Sequence, residues 1–291
     1  MYYYRKSRKL DIKNRLVKTV FSLTADADDL IHEGVTVVKG EAETLLEMLH
    51  VFDEEEISLI ARLSQADLNA VLASLASRLT ELRLWSSPTE LSALEGCKRL
   101  RAVTVYCGEE LTALWNMREN PALEELTAYY CKRLKDLEGL RGSTVRRLTV
   151  SGEAISYADD TDAPTIKDLS PLKTMPNLTY LDLFIAKRAE KREDLLTLSA
   201  LSGLQYLRLT KNYFTFKQFA WLKAKLPQVE NLKCLYCYKY DKHREKDCFV
   251  IVGEGMPAWI EDDTGKAADP YIEAFNAYAA EFALAPLPPE D

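Results

Sequence analysis

The sequence predicts an α/β solenoid, a right-handed stack of short units built on one curved parallel sheet, and two observations carry that reading. The first is a triplet of aliphatic or small apolar residues at places one, four and six. It runs through Leu79-x-x-Leu82-x-Leu84, Leu100-x-x-Val103-x-Val105, Leu123-x-x-Leu126-x-Ala128, Val145-x-x-Leu148-x-Val150, Leu178-x-x-Leu181-x-Leu183, Leu204-x-x-Leu207-x-Leu209 and Val229-x-x-Leu232-x-Cys234. The second is the spacing, with successive copies starting 21, 23, 22, 33, 26 and 25 residues apart. Units that recur at such a period cannot bury an apolar face alone and do so by stacking.

Residues four and six of each copy leave a strand on the same side, because side chains alternate across a pleated backbone. At least seven parallel strands are therefore expected, centred near residues 82, 103, 126, 148, 181, 207 and 232, about 4.8 Å apart. Behind each strand the chain returns through a second apolar pair at a helical or 3₁₀ spacing. These pairs are Leu91 and Leu94, Leu111 and Leu114, Leu134 and Leu137, Ile166 and Leu169, Leu198 and Leu201, and Phe216 and Phe219.

The open ends of such a stack need covers. Residues 53–78 read as helical, with Asp53 and Ser64 as N-caps and Ile57, Ile60, Leu63, Leu68, Val71, Leu72 and Leu75 at helical spacing. Before them, Val35 to Val38 suits a strand and Ala42 to Leu49 a short helix. After the repeats, Phe249 to Val252 reads as a strand ending at a turn. Asp269-Pro270 then opens a helix over 270–285 whose Tyr271, Phe275, Tyr278 and Phe282 form one apolar stripe. The organisation expected is an N-terminal flank with a mainly helical cap (1–78), about seven repeats (79–237) and a strand-plus-helix C-terminal cap (238–291).

The stretch Leu204-Gln-Tyr-Leu207-Arg-Leu209-Thr-Lys-Asn212 resembles a complete leucine-rich-repeat consensus. Leu169-Ser-Pro-Leu172-Lys-Thr-Met175-Pro-Asn-Leu178-Thr-Tyr-Leu181-Asp-Leu183 resembles the bacterial internalin-like and phosphatase-regulator-like subclass. The resemblance covers about residues 79–237 and implies that Asn212 bonds the backbone between coils. Elsewhere Ser87, Gly108, Cys131, Glu153, Ala186 and Cys237 stand in the asparagine's place, which puts such bonding in question near Glu153 and Ala186.

A net charge of −7 over 291 residues argues against a nucleic-acid groove as the main surface. The first twenty residues run the other way, with Arg5, Lys6, Arg8, Lys9, Lys13, Arg15 and Lys18 against Asp11. A short charge run of this kind reads as a solvated terminus. It lacks the apolar core of a secretory signal, and no apolar run long enough to span a bilayer follows. The six cysteines fall mostly at or near repeat positions rather than in a disulfide framework, which fits a reducing cytoplasm.

Several motifs approach a specific chemistry without completing it. Cys234-x₂-Cys237-x₅-His243-x₄-Cys248 approaches a zinc-knuckle spacing, but Cys234 and Cys237 already hold repeat positions, so no metal is expected. Gly253-x-Gly255-x-x-Ala258 follows a strand but leads into Pro257 and Trp259 instead of a helix, and reads as a turn. Asp159, Asp160 and Asp162 lack the glycine and glutamate of a calcium loop. No hydrolase signature occurs, and His32, His50 and His243 are scattered. Neither an enzyme nor a cofactor is expected.

What remains is a surface. Places three, five and seven of each copy should face out of the concave sheet, and they hold Arg83, Trp85, Tyr106, Tyr129, Arg147, Tyr180, Phe184, Tyr206 and Arg208. Trp, Tyr and Arg are enriched at interface hot spots. The function expected is a non-catalytic protein-protein interaction module, monomeric, binding an unidentified protein on that face. Replacing Trp85, Tyr129 or Arg208 should weaken binding and leave the melt nearly unchanged. The alternatives are a membrane- or nucleic-acid-associated adaptor held by the basic N-terminus, or an enzyme with its site in a cap.

Overall fold

The computed structural model describes residues 9–10, 17–23, 56–152, 163–186, 192–238, 247–256, 260–262 and 266–289. Its centre is a sheet of nine strands in sequence order: β1 (Lys9–Leu10), β2 (Val17–Leu23), β3 (Ile57–Ala61), β4 (Leu79–Leu84), β5 (Ala102–Val105), β6 (Glu125–Ala128), β7 (Arg147–Ser151), β8 (Tyr180–Phe184) and β9 (Tyr206–Leu209). Only β1 is antiparallel to its neighbour, and β2 to β9 run parallel. Six of the seven triplets form strands at the expected places. An open parallel sheet with one unit behind each strand fits a leucine-rich-repeat solenoid.

The register is set by the fourth place. Leu59, Leu82, Val103, Leu126, Leu148, Leu181 and Leu207 pair in a line, none more than 1% exposed. The return pairs close the other side of the core, all buried except Phe216, which packs partly covered against it. In four units the return is a 3₁₀ turn, at Ser92–Gly96, Met117–Glu119, Glu138–Leu140 and Ser170–Thr174. Gly96, Gly139 and Pro171 lie within three of these turns and Pro121 shortly follows the fourth, and both residue types discourage longer helix. Segments without them form α1 (Gln65–Leu75), α2 (Arg192–Ser199) and α3 (Phe216–Lys225). Ser64 caps α1 through a bond from the Asp67 N–H, and Thr215 and Gln218 make a reciprocal capping box on α3.

Two expectations need correction. Residues 57–61 are a strand, not the start of a cap helix. Ile57 and Ile60 keep a spacing of three, but Ile57, Leu59 and Ala61 also alternate. Pairing with β2 on one side and β4 on the other satisfies the backbone on both edges. A register shift after Ile57 leaves Thr80 as the extra residue, and its hydroxyl donates to the Ile57 carbonyl at 3.1 Å.

The seventh triplet is the second correction. Val229, Leu232 and Cys234 are buried as expected, yet they form no strand. The Asn231 amide takes the strand's part, accepting from the Leu207 N–H at 3.0 Å and donating to the Leu207 carbonyl at 2.8 Å. Beyond it the chain enters a separate antiparallel sheet of β10 (Leu235–Tyr238), β11 (Asp247–Ile251) and β12 (Ile260–Asp262). Gly253, at φ 114°, makes the tight turn after β11. Its N–H donates to the Lys211 carbonyl, and an added Cβ would lie 2.7 Å from the Phe216 nitrogen. Gly253 therefore belongs to a packed turn, while Gly255, at φ 74°, faces open space.

The last helix, α4 (Asp269–Phe282), carries Pro270 in its first turn and packs on α3. Phe275 is buried, and Phe216 meets both Phe275 and Tyr278 edge-on. The expected elements at 35–38 and 42–49, Asp53, the three histidines, the loops at 153–162 and 187–191 and most of the basic N-terminus lie outside the described residues.

At the consensus position the backbone itself bonds between coils, the Gly108 and Cys131 N–H groups donating to the Tyr129 and Ser151 carbonyls, and side chains elsewhere add to it. Thr210, two places before Asn212, donates to the Ile185 carbonyl at 2.7 Å and accepts from its N–H at 2.9 Å. On the return side, buried Asn120 donates to the Leu94 and Cys97 carbonyls and accepts from the Trp115 indole. Each polar group replaces a backbone partner that the core could not otherwise supply.

Two outcomes are expected. Alanine at Leu126, Leu148, Leu181 or Leu207 should cost ~2–5 kcal/mol in thermal or urea unfolding, since each fills a closed core. Thr210→Val, which keeps the shape and strands the Ile185 N–H and carbonyl, should cost ~1–3 kcal/mol. Asn212→Ala, at the family's consensus position, should cost less in the same melts.

Candidate functional site

The open face of the sheet is ordered by the same pairing that orders the core. One row runs Glu81, Ala102, Glu125, Arg147, Tyr180, Tyr206, and the next runs Arg83, Thr104, Thr127, Thr149, Asp182, Arg208. A third row, just past the strand ends, begins Trp85, Tyr106, Tyr129. The Tyr106 and Tyr129 N–H groups extend the ladder by donating to the Leu84 and Val105 carbonyls, both at 2.8 Å.

Adjacent strands bring these side chains within contact distance, and they use one another. Trp85 stacks on Tyr106 with centroids 3.9 Å apart and planes 13° apart, and Tyr129 tilts against Tyr106 at 6.1 Å. Tyr180 stacks on Tyr206 at 4.3 Å and 6°. The other face of Tyr180 is covered by the Arg147 guanidinium, 4.1 Å from the ring centroid. Arg147 in turn meets Glu125 at 3.3 Å. Stacked aromatics of this kind add ~0.5–1.5 kcal/mol beyond their buried area. The rings therefore serve the fold as well as the surface.

The middle row holds the strongest polar contact. Arg208 grips Asp182 with one guanidinium edge, Nε donating to Oδ1 at 2.8 Å and Nη2 to Oδ2, while Asp182 is buried. A buried carboxylate depends on such a partner. Glu81 accepts from the Ser58 hydroxyl at 3.2 Å. Arg83 is exposed, and no side-chain bond of its guanidinium is found among the described residues.

The structure brings Arg83, Trp85, Tyr106, Tyr129, Arg147, Tyr180, Tyr206 and Arg208 together on this face and sets Phe184 apart. Phe184 is 8% exposed, and the chain turns inward just after it, with Ile185 wholly buried. Sequence reasoning overlooked Tyr130. It is exposed beside Tyr129 and holds φ 58°, a left-handed conformation that disfavours side chains with a Cβ. Nothing in a tyrosine codon signals that geometry.

Four described cysteines are free thiols. Burial pushes Cys97 and Cys234 up to about 11 and Cys131 up to about 12. Cys107, half-buried, is also raised, by burial and then by Glu109, against Arg62. Such thiols are protonated near neutral pH and make poor nucleophiles and poor metal ligands. Among the described residues no group of three or more His, Cys, Asp or Glu could hold a metal ion. His243 of the zinc-like spacing lies outside them. Tyr180 is raised to about 12, by burial first and then by Asp182 and Tyr206.

Against known proteins, the sequence matches no protein-family model and no curated protein. Among solved structures it is similar to the functional domain of InlJ from Listeria monocytogenes, which includes a cysteine ladder. That similarity has 19% identity and a TM-score of 0.43, and covers 61% of this chain and 33% of that one. The chain thus spans about a third of that structure's length. No helix among the described residues is long and apolar enough to cross a membrane.

The raised thiols and Tyr180 predict alkaline sensitivity. In the unfolded chain cysteine loses its proton near 9.0, whereas Cys97, Cys131 and Cys234 hold theirs to about 11, 12 and 11 when folded. Their contribution to stability is complete below pH 9 and is lost as pH rises toward 11–12. Urea midpoints should be level from pH 7 to 9 and fall above it, and Cys131→Ala should flatten that fall.

Proposed function

We propose that this chain is a non-catalytic protein-protein interaction module that engages a partner protein on the open face of its sheet. The observation that carries the reading is the in-register placement of Trp85, Tyr106, Tyr129, Arg147, Tyr180 and Tyr206, each partly or well exposed, on a face where partner contacts could extend across six strands. Rigid aromatics held by their neighbours bind with little further loss of side-chain entropy. The protonated, buried thiols favour a scaffold over a cysteine enzyme and suit a reducing, cytoplasmic setting. The internalin-like affinity of the 169–183 segment belongs to the same reading.

Binding and stability can be separated here by choice of residue. With a partner captured from native lysate, Trp85→Ala and Tyr129→Ala should each weaken affinity by more than ~1 kcal/mol in titration calorimetry. Their melts should move only by the loss of one ring contact. Arg208→Ala is different, since it strands the buried Asp182 carboxylate and should lower the melt markedly. Unchanged affinity in both aromatic variants would move the interface off this face.

A further inference from the structure

We infer that the open face selects an acidic peptide segment of its partner, seated along Arg83 and the ring edges of Trp85, Tyr106 and Tyr129. This rests on the interaction-module reading and adds the partner's chemistry to it. Trp85 and Tyr106 belong to adjacent strands and stack nearly parallel at 3.9 Å, so their ring normals run across the strands and their edges point out of the sheet. The Tyr180 ring is covered on both faces, by Tyr206 and by the Arg147 guanidinium.

An aromatic ring is negative on its face and positive at its edge. Lysine-rich segments recognise faces, as do the bases of single-stranded nucleic acid, which need a platform to stack on. The facing sides of Trp85 and Tyr106 and both sides of Tyr180 are already taken. What the surface offers instead is positive edges, tyrosine hydroxyls, an indole N–H and the hydroxyls of Thr104, Thr127 and Thr149.

Charge points the same way. Each carboxylate in the two paired rows already has a partner: Glu81 with Ser58, Glu125 with Arg147, Asp182 with Arg208. Arg83 is exposed in the threonine row, with no guanidinium bond found among the described residues. The two rows hold three arginines, Arg83, Arg147 and Arg208, against three carboxylates, in a chain of net charge −7. The two rows balance to neutral where the whole chain is acidic, and among the described residues Arg83 is their arginine without a carboxylate partner.

The test uses the full chain and three fluorescently labelled peptides of about eight residues, long enough in extended form to cross the strands. One is rich in Asp and Glu with a central Tyr, the second replaces its acids with Asn and Gln, and the third replaces them with Lys. Anisotropy titrations at low and high salt should rank the acidic peptide tightest, with salt weakening it. Arg83→Ala should cost it roughly tenfold, while Lys173→Ala on a 3₁₀ turn should leave it unchanged. Circular dichroism melts confirm folding, and Arg83→Lys, which keeps the charge, should recover part of the loss.

Equal binding of the three peptides, no effect of Arg83→Ala, or no acidic binding up to millimolar peptide would each overturn the proposal. If the lysine peptide bound instead and lost affinity in Trp85→Ala, the open face would remain the interface and only the acidic preference would fall. If no peptide's binding responded to Trp85→Ala or Tyr129→Ala, the open-face reading itself would fall.

Discussion

Everything in this molecule depends on in-register stacking of one buried aliphatic line across the strands. Leu82, Val103, Leu126, Leu148, Leu181 and Leu207 each meet the same residue of the next unit. A slip of one residue would carry every core side chain to solvent and every surface ring inward. That constraint aligns the opposite face for free. Trp85 reaches Tyr106, and Tyr180 reaches Tyr206, because Leu84 is opposite Val105 and Leu181 is opposite Leu207.

The parts of this fold legible in the sequence were those where local pattern and tertiary partner agree. Triplets such as Val145-x-x-Leu148-x-Val150 read correctly because their apolar places are both periodic and buried. Ile57 to Ala61 misread because its apolar residues satisfy two periods at once, and only pairing with β2 and β4 chooses between them. The seventh triplet shows the reverse case. Its burial was legible, but its failure to form a strand was not, since that is decided by where one amide, Asn231, finds its partners.

For the surface, sequence could say which residues share a face but not what they do to one another. Rows of Tyr and Arg look equally like hot spots whether they stand apart or stack. The structure shows Arg208 committed to a buried carboxylate and Tyr180 enclosed on both sides, so residues of one enriched type divide into those bound up in the scaffold and those left at the surface. Phe184 falls on the scaffold side because Thr210 draws the following Ile185 inward.

Asn231 also has a bearing on how such an array changes size. A strand edge invites another strand, and a repeat protein lengthens by copying its unit onto that edge. Here the edge at Leu207 is closed by a side chain rather than by backbone, and the chain then departs into an antiparallel sheet. New units copied in during evolution would have to enter upstream of this residue, leaving the closing amide at the end of the series. The length of the sheet is thus free to vary on one side of Asn231 and fixed on the other.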